Sequence, residues 1–431
     1  MIFTLQQEKQ GPGSRMLILS ENTLLSANES FTFPLYKKAN IKMRRMKTTY
    51  RFSYQLSVLL SVMVLAAQTL SAQTSSINIV STAVPFLRIS PDARAGGMGD
   101  MSIATAPDAN AAFWNLAKIP FAKNQTAVAV NYTPWLKDLG LSDVYLASLA
   151  GYHKLNDESA VSTSLRFFSL GNIQLTDFSG NILNNIRPSE FSVDLGYSRI
   201  ISEKISLGVA LRYINSRLVI GDVGTGVVYR AGTSVAGDVS MYYNGTDESG
   251  AGLTWGITLA NLGAKIGYTN DARNKDFIPA NLGVGIAYTT VMDGNNRLMF
   301  GMDINKLLVP SLPAATGVFS TDSASLSNYR STGVVSSWLK SFGDGTNQLD
   351  ALQVSLGAEY AYNEQFFVRG GYFHESKSRG NRQYFSLGAG FSMDAFQVNL
   401  SYLVPSGSGI TRNPLSNTIR VGLVFNISSQ K

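Results

Sequence analysis

The sequence contains no cysteine among its 431 residues. This absence excludes disulfide bonds, thiol chemistry and a lipid anchor on an N-terminal cysteine. Exported proteins often use disulfide bonds, so a fold without them depends on backbone pairing for its stability.

A hydrophobic run of the length of a transmembrane helix is also missing. The apolar stretch from Leu56 to Ala67 has about a dozen residues, whereas a helix needs about 20 to cross a bilayer. Basic residues precede this stretch and small residues follow it, which is typical of a secretory signal peptide cleaved after Ala72. We therefore predict a signal peptide at residues 43–72, and we expect that residues 1–42 result from a mis-assigned upstream start.

The excess of positive charge, +7 for the whole sequence, lies mainly in this N-terminal part. Residues 1–72 hold nine of the 36 Lys and Arg residues but only three of the 29 Asp and Glu residues. The remaining chain is close to neutral, so it lacks the basic surface that nucleic-acid binding requires. We expect no nucleic-acid partner.

In place of these features, the sequence has a repeated alternation of apolar with small or polar residues. From Phe191 to Tyr197, every odd-numbered residue is large and apolar, and every even-numbered residue is small or charged. Segments of about ten such residues, separated by turns, are typical of transmembrane β-barrels. Fourteen strands are predicted, at residues 125–135, 142–153, 158–169, 189–199, 204–216, 235–243, 251–261, 279–290, 296–306, 350–361, 365–375, 382–392, 395–404 and 416–427.

The predicted fold is an all-β, 14-stranded antiparallel transmembrane β-barrel over residues 124–431. Only a closed sheet satisfies its backbone hydrogen bonds in hydrocarbon, so we expect the outer membrane of a diderm bacterium. Short connections follow the even-numbered strands and long ones follow most odd-numbered strands. Because long loops face outward in such barrels, both ends of the mature chain should be periplasmic.

Charged strand residues should point into the barrel, because Lys or Arg facing lipid at mid-bilayer costs about 2–4 kcal/mol. Seven charged residues fall on the face opposite the apolar set of their strands. Four arginines and three carboxylates nearly balance, which favours a structural ion-pair network in the lumen; the alternative is a solute-selecting ring. The seven are Arg166, Asp194, Arg212, Asp303, Glu359, Arg369 and Arg420.

The lumen of a 14-stranded barrel is too wide to be filled by its own side chains, so a further element should occupy it. Residues 73–123 precede the first strand and are predicted to be an N-terminal plug segment. This segment should contain a turn at Gly96-Gly97-Met98-Gly99 and a helix from Pro107 to Ala117 with Asp108 as its N-cap. The glycine spacing fits neither dinucleotide-binding nor P-loop patterns, so we expect no nucleotide cofactor.

The longest connection, from Leu307 to Leu349, is rich in aromatic residues. Loops of this length are uncommon unless they are functional or disordered. It is predicted either to bind a partner or to form a cap folded over the barrel mouth. The candidate partner-binding residues are Phe319, Tyr329, Trp338 and Phe342.

The two histidines, His153 and His374, end strands that run in opposite directions, so they should be separated by about the bilayer thickness. They cannot share a metal or catalytic site. His374-Glu375-Ser376 contains the residue types of a serine hydrolase, such as a lipid A deacylase, but consecutive residues of a strand alternate faces and cannot converge as a triad. We therefore expect no catalytic residues, metal or cofactor, and no enzyme activity.

Two N-terminal stretches resemble the PorV family. They are Arg94-Ala95-Gly96-Gly97-Met98-Gly99-Asp100 and the stretch from Asp108 to Ala117, where Leu116 departs from the Asn-Pro-Ala of the wider FadL-like group. Gly252-Leu253-Thr254-Trp255 and Ala260-Asn261-Leu262-Gly263 look like a second family feature. The resemblance runs from about residue 76 to the end, and parts of it are shared with PorQ and PorP proteins.

The resemblance implies a FadL-like outer-membrane barrel of the type IX secretion system. Such proteins sit against the lateral opening of the SprA translocon barrel, receive cargo through its C-terminal signal domain and deliver it to the PorU sortase complex. The cargo is then released or attached to lipopolysaccharide, and the barrel itself is embedded in outer-membrane lipid. The alternative implied function is that of a FadL-like channel for hydrophobic solutes, with the plug as its gate.

Overall fold

The computed structural model describes residues 80–176, 179–222, 226–271, 274–343, 348–404, 415 and 417–427. The predicted signal peptide at 43–72, the upstream residues 1–42 and the start of the predicted plug, residues 73–79, lie outside the described residues.

Fourteen antiparallel strands form one closed barrel, in which each strand pairs with the next and β1 pairs with β14. This confirms the predicted fold, with every strand within a few residues of its predicted position. The strands are β1 Thr126–Pro134, β2 Val144–Lys154, β3 Ser159–Leu170, β4 Ser189–Ser202, β5 Ile205–Arg217, β6 Gly232–Thr246, β7 Gly252–Gly263, β8 Asn281–Asp293, β9 Asn296–Leu307, β10 Leu352–Tyr362, β11 Phe366–Glu375, β12 Gln383–Met393, β13 Phe396–Leu403 and β14 Ile419–Ile427.

The alternation of residue types determines which face of each strand meets lipid. On β5, Leu211 is 70% exposed whereas the neighbouring Arg212 is 2% exposed. On β11, Val368 and Arg369 differ in the same way, at 62% and 2%. A shift of one residue would exchange the two faces, so burial of the polar set fixes the register of pairing.

Residues 80–125, here called the luminal segment, contain only short helical elements. These are 3₁₀ turns at Pro85–Arg88 and Leu116–Phe121 and the helices α1 Ala93–Gly96 and α2 Ala111–Trp114. Backbone and side-chain atoms of this segment bond to inward-facing residues of strands all around the barrel, so it lies inside the lumen.

The prediction of one helix from Pro107 to Ala117 capped by Asp108 is wrong. Asn115 interrupts it in an extended conformation, because its side-chain amide donates to the backbone oxygens of Ile103 and Met241, both at 3.1 Å. One oxygen of the Asp108 carboxylate accepts from the Asn110 backbone N–H at 3.0 Å, but the other is bound by Arg94 at 2.8 Å, and the helix begins only at Ala111. Tertiary contacts therefore override the local helical preference.

The connections differ between the two ends of the barrel. The short-turn end has connections of two to five residues, at 155–158, 203–204, 247–251, 294–295, 363–365 and 394–395. At the long-loop end, three connections form strand pairs: Ile173–Thr176 with Ile182–Ile186, Gly221–Asp222 with Val228–Tyr229, and Ile266–Gly267 with Lys275–Asp276. The connection after β9 contains α3 Phe319–Ser331, α4 Val334–Lys340 and 3₁₀ turns at Ser341–Gly343 and Gln348–Ala351. A further 3₁₀ turn, Lys137–Leu139, follows β1.

Among the described residues, no helix has both the length and the apolar character needed to cross a membrane.

The two described ends of the chain lie at opposite ends of the barrel. Val80 packs against Phe277, Val309 and Tyr329 at the long-loop end, whereas Ile427 pairs with Thr126 at the short-turn end. The chain therefore passes through the lumen before it enters β1.

Candidate functional site

The luminal segment approaches the wall most closely where strand glycines face it. A Cβ at Gly388 would lie 2.9 Å from the Cα of Gly97, and one at Gly357 would lie 2.7 Å from the Cβ of Met98. A Cβ at Gly371 would overlap the backbone at Met98 and Gly99. Any larger residue would push the segment from the wall, so glycine at these positions permits direct packing of backbone on backbone.

A cluster around Glu359 ties the segment to β10 and β11. The Arg94 Nε and Nη2 atoms each donate to the Glu359 carboxylate at 3.0 Å, and the Arg369 Nε donates to it at 2.7 Å. Arg297 lies 4.0 Å from the same carboxylate. Such buried charges are tolerated only when they are paired and hydrogen-bonded, so this cluster holds the segment in one position.

The turn from Ser102 to Thr105 is held from two sides. One oxygen of Asp303, on β9, accepts from the backbone N–H groups of Ser102 at 2.7 Å and Ile103 at 2.8 Å. Lys118, from the luminal segment itself, donates to the Ser102 carbonyl at 2.6 Å and the Thr105 hydroxyl at 3.1 Å. The wall and the segment thus fix this turn by directional bonds.

The seven lumen residues predicted from the sequence are all buried, but they do not form one network among themselves. Arg212 pairs with Asp194 at 2.6 Å, and Arg369 pairs with Glu359. The remaining three bond to the luminal segment: Arg420 to Asp100 at 2.5 Å, Asp303 to the turn at Ser102, and Arg166 to the Leu87 carbonyl at 2.6 Å.

Sequence reasoning missed several members of these clusters. Asp238 and Arg297 share the parity of the inward-facing set of their strands, so the same rule could have found them. Arg94, Asp100 and Asp108 lie in the luminal segment, where no strand alternation exists to indicate their direction.

A β-bulge interrupts the wall between β6 and β7. Pairing shifts between Gly237 and Val239, and Asn261 adopts a positive φ of 59°. Asp238 accepts from the Asn261 backbone N–H at 2.7 Å and also pairs with Arg212 at 2.9 Å. The first bond satisfies the backbone N–H of Asn261, which has no strand partner at the bulge, and pairing continues on both sides.

Two cavities lie at opposite ends of the luminal segment and share no lining residue. A cavity of about 460 Å³ at the long-loop end is lined by apolar residues, including Phe86, Trp135 and Phe168, and by Arg88, Arg379 and Arg382. A cavity of about 280 Å³ lies at the short-turn end, and its lining includes the polar or charged residues Arg94, Asp108, Tyr242 and Arg297. In the part of the chain that the structure describes, the luminal segment lies between them.

The four aromatic candidates in the connection after β9 have different environments. Phe319 is 88% exposed, Phe342 is 48% exposed and Trp338 is half-buried. Tyr329 is buried: its ring packs edge-on against Phe277 with centroids 5.4 Å apart, and its hydroxyl donates to the Pro310 carbonyl at 3.2 Å. The structure therefore leaves three of the four accessible to a partner.

Lys265, at the start of the connection after β7, anchors the two loop helices. Its Nζ donates to the carbonyls of Arg330 and Thr332, both at 2.6 Å, and lies 4.2 Å from the centre of the Phe277 ring. Burial lowers the pKa of the Lys265 ammonium, whereas nearby Asp276 raises it. A cation at this point complements the carbonyl end of α3.

The apolar surface of the same loop is open. Val335 and Leu339 lie one turn apart on α4 and are 63% and 72% exposed, and Leu349 is 72% exposed. With Phe319 and Phe342 they form what is here called the outer apolar surface. Several large, exposed apolar side chains on one loop indicate a candidate interaction site.

The histidines lie at opposite ends of the barrel. His153 contacts the Thr126 hydroxyl through its Nδ1 at 2.7 Å at the short-turn end, and His374 pairs with Val354 and Gln383 at the long-loop end. Within the described ranges, no three side chains of His, Asp or Glu are grouped so that they could hold a metal ion.

Comparison with solved structures finds chains that are covered almost completely but at low sequence identity. The toluene transporter TodX of Pseudomonas putida has 11% identity and a TM-score of 0.47, covering 78% of this chain and 98% of that chain. A FadL homologue of Pseudomonas aeruginosa has 12% identity and a TM-score of 0.41, covering 81% and 100%. A comparison with curated proteins finds no match.

Comparison with protein families matches residues 71–314 to the family described as Type IX secretion system protein PorV. The matched residues are more than half of the chain and include the luminal segment and the first nine strands. The chain is therefore an outer-membrane β-barrel that belongs to the PorV family of the type IX secretion system.

Proposed function

We propose that this protein is a non-enzymatic, cargo-binding component of type IX secretion. It receives cargo through a C-terminal signal domain at an SprA-type translocon barrel and carries it to the PorU sortase complex. The observation that carries the proposal is the combination of an open outer apolar surface with a lumen occupied by the protein's own chain. A protein that binds cargo needs the first feature and does not need an open channel.

The proposal includes an orientation in the membrane. The long-loop end faces outward, as in other barrels of this class, which makes the C-terminus periplasmic. The outer apolar surface then faces the cell exterior beside the outer-membrane lipid and lipopolysaccharide. The predicted periplasmic position of the mature N-terminus depends on residues 73–79, which lie outside the described residues.

Cargo capture tests the proposal. A variant with Phe319→Ser, Val335→Ser and Leu339→Ser should recover cargo bearing the C-terminal signal domain at least about tenfold less well, because a few central apolar residues carry most of the free energy of an interface. A control with Leu155→Ser and Ile201→Ser removes exposed apolar side chains at the short-turn end and should recover cargo normally.

Deletion of residues 312–345 extends the same test to the whole loop. Tyr329 leaves with it and uncovers Phe277, so assembly of the barrel must be checked by heat-modifiable gel mobility. Unchanged cargo recovery by the assembled deletion variant and the triple variant would refute a role for this surface.

A FadL-like channel for hydrophobic solutes is the second candidate. The apolar lining of the 460 Å³ cavity favours it, because hydrophobic ligands bind in such concave apolar sites. Transport would require the luminal segment to move, since it lies between the two cavities. Uptake of a fatty acid that depends on this protein would support the channel, and uptake unchanged by its deletion would exclude it.

A further inference from the structure

A third cavity, of about 60 Å³, lies between the luminal segment and the barrel wall. Leu87, Arg88, Ser90 and Phe113 line it from the segment, and Arg166 on β3 lines it from the wall. A space of this size holds at most a few water molecules or one small ion.

Three polar atoms of its lining have no hydrogen-bond partner among the described residues. They are the Nε atoms of Arg88 and Arg166 and the hydroxyl of Ser90. Arg166 and Ser90 are 3% and 4% exposed. Buried polar atoms are almost always hydrogen-bonded, so three such atoms around one cavity point to a ligand.

The charges around the cavity are unbalanced toward positive. Arg88, Arg166 and Arg382 line it, with Asp100 as the one carboxylate. Both oxygens of Asp100 are already engaged, one by Arg420 and the other by the Tyr384 hydroxyl. Arg382 is bound by Glu375 outside the cavity, at 2.7 and 2.9 Å.

Arg88 and Arg166 have no such partner. The Arg166 Nη1 donates to the Leu87 carbonyl, its Nη2 donates to the Phe113 carbonyl at 3.4 Å, and its guanidinium lies 4.8 Å from the Phe113 ring centre. Arg88 donates to the Gln353 side chain at 3.2 Å. Neither guanidinium forms an ion pair with a described carboxylate. Neutral acceptors satisfy hydrogen bonds but do not compensate two buried positive charges.

We propose that this cavity binds a small inorganic anion, with chloride as the probe, between the guanidinium groups of Arg88 and Arg166 and the hydroxyl of Ser90. Arg88 and Ser90 belong to the luminal segment and Arg166 belongs to the wall. The anion therefore bridges the two, and its binding stabilises the seated segment.

Thermal unfolding of the full chain in detergent tests the site. The unfolding midpoint in sodium chloride should exceed the midpoint in sodium gluconate at equal ionic strength by a few degrees, because a ligand that binds only the folded state stabilises it. The difference between the two midpoints should saturate as the chloride concentration rises. Arg166→Gln should abolish the difference. Arg199→Gln removes an exposed arginine, at 60% side-chain exposure, and should keep it.

Two further measurements test the site even if the Arg166→Gln variant does not fold. Ser90→Ala removes one donor with little change in volume and should raise the chloride concentration needed for half of the stabilisation. Crystals soaked in bromide should show an anomalous peak between Arg88 and Arg166. Equal midpoints in the two salts, a chloride effect that survives in Arg166→Gln, or a cavity without bromide would overturn the proposal in favour of bound water.

Discussion

Adjacent glycines on β11 have opposite roles. Gly370 faces outward, with no heavy atom within 4 Å of the position of a Cβ, whereas Gly371 faces inward against Met98 and Gly99. On the same strand, Arg369 binds Glu359 inside the lumen. The inward face of β11 thus carries both kinds of residue. Gly371 has no side chain and leaves room for the luminal segment, and Arg369 supports the carboxylate that holds the segment.

Replacement of Gly371 tests the close contact. Gly371→Ala should destabilise the protein by about 1–3 kcal/mol, because the added methyl group forces the segment away from the wall. Gly370→Ala, one residue away, should change stability by less than about 1 kcal/mol. Unfolding midpoints in denaturant would measure both, and equal effects of the two variants would contradict the packing described here.

Loss of the Glu359 carboxylate should be more damaging. Glu359→Gln leaves Arg94 and Arg369 buried without their anion, for which we expect a loss of about 3–5 kcal/mol. Glu158→Gln breaks the exposed pair with Arg199, for which we expect at most about 1 kcal/mol. Heat-modifiable gel mobility would report the difference, and a Glu359→Gln variant as stable as Glu158→Gln would argue against an anchoring cluster.

At the scale of elements, the sequence was sufficient for the barrel strands. Their alternation is strong because lipid selects one face and the polar lumen selects the other, as with Leu211 and Arg212. The strand pairs at the long-loop end, such as Ile173–Thr176 with Ile182–Ile186, were not predicted. Most of their residues are exposed on both faces, so no difference between faces appears in the sequence.

The partners of the lumen residues could not be predicted from strand patterns. Arg94 and Glu359 are separated by 265 positions and meet only because the segment passes through the lumen. The broken helix at Asn115 has the same origin, since its amide bonds to β6. Contacts that depend on the path of an irregular segment produce no periodic pattern of residue types in the sequence.

The anchoring of the loop helices by Lys265 gives a prediction for an element. Lys265→Met removes two charge-assisted hydrogen bonds, each worth about 1.5–3 kcal/mol, so the loop should open more often. We expect proteolytic cleavage between residues 319 and 340 to become at least about tenfold faster. Lys275→Met, at an exposed position on the neighbouring loop strand, should leave cleavage unchanged; equal rates for both variants would show that Lys265 does not hold the loop.

At the scale of the whole molecule, the lumen of the barrel is occupied by the luminal segment of the same chain. The luminal segment is tied to β10, β9 and β14 through Glu359, Asp303 and Arg420, and Arg369 on β11 supports Glu359. Each tie crosses between the segment and the wall or supports one that does. Together they favour a barrel whose function takes place at its surface.

Electrical recording tests the filled lumen. The protein should give no steady conductance in planar bilayers, whereas deletion of residues 85–121 should produce open pores, since a 14-stranded barrel encloses more space than its side chains fill. Deletion of residues 319–340, which removes the loop helices and leaves the luminal segment, should remain silent. Steady pores in the unmodified protein would contradict the filled lumen.

The most direct test of the proposed function is affinity purification of the full chain from detergent-solubilised outer membranes, with identification of bound molecules by mass spectrometry. Cargo binding predicts co-purification of secreted proteins that carry the C-terminal signal domain, together with a translocon barrel of several hundred kilodaltons. Recovery of an isolated monomer loaded with lipid or fatty acid, without cargo, would contradict it.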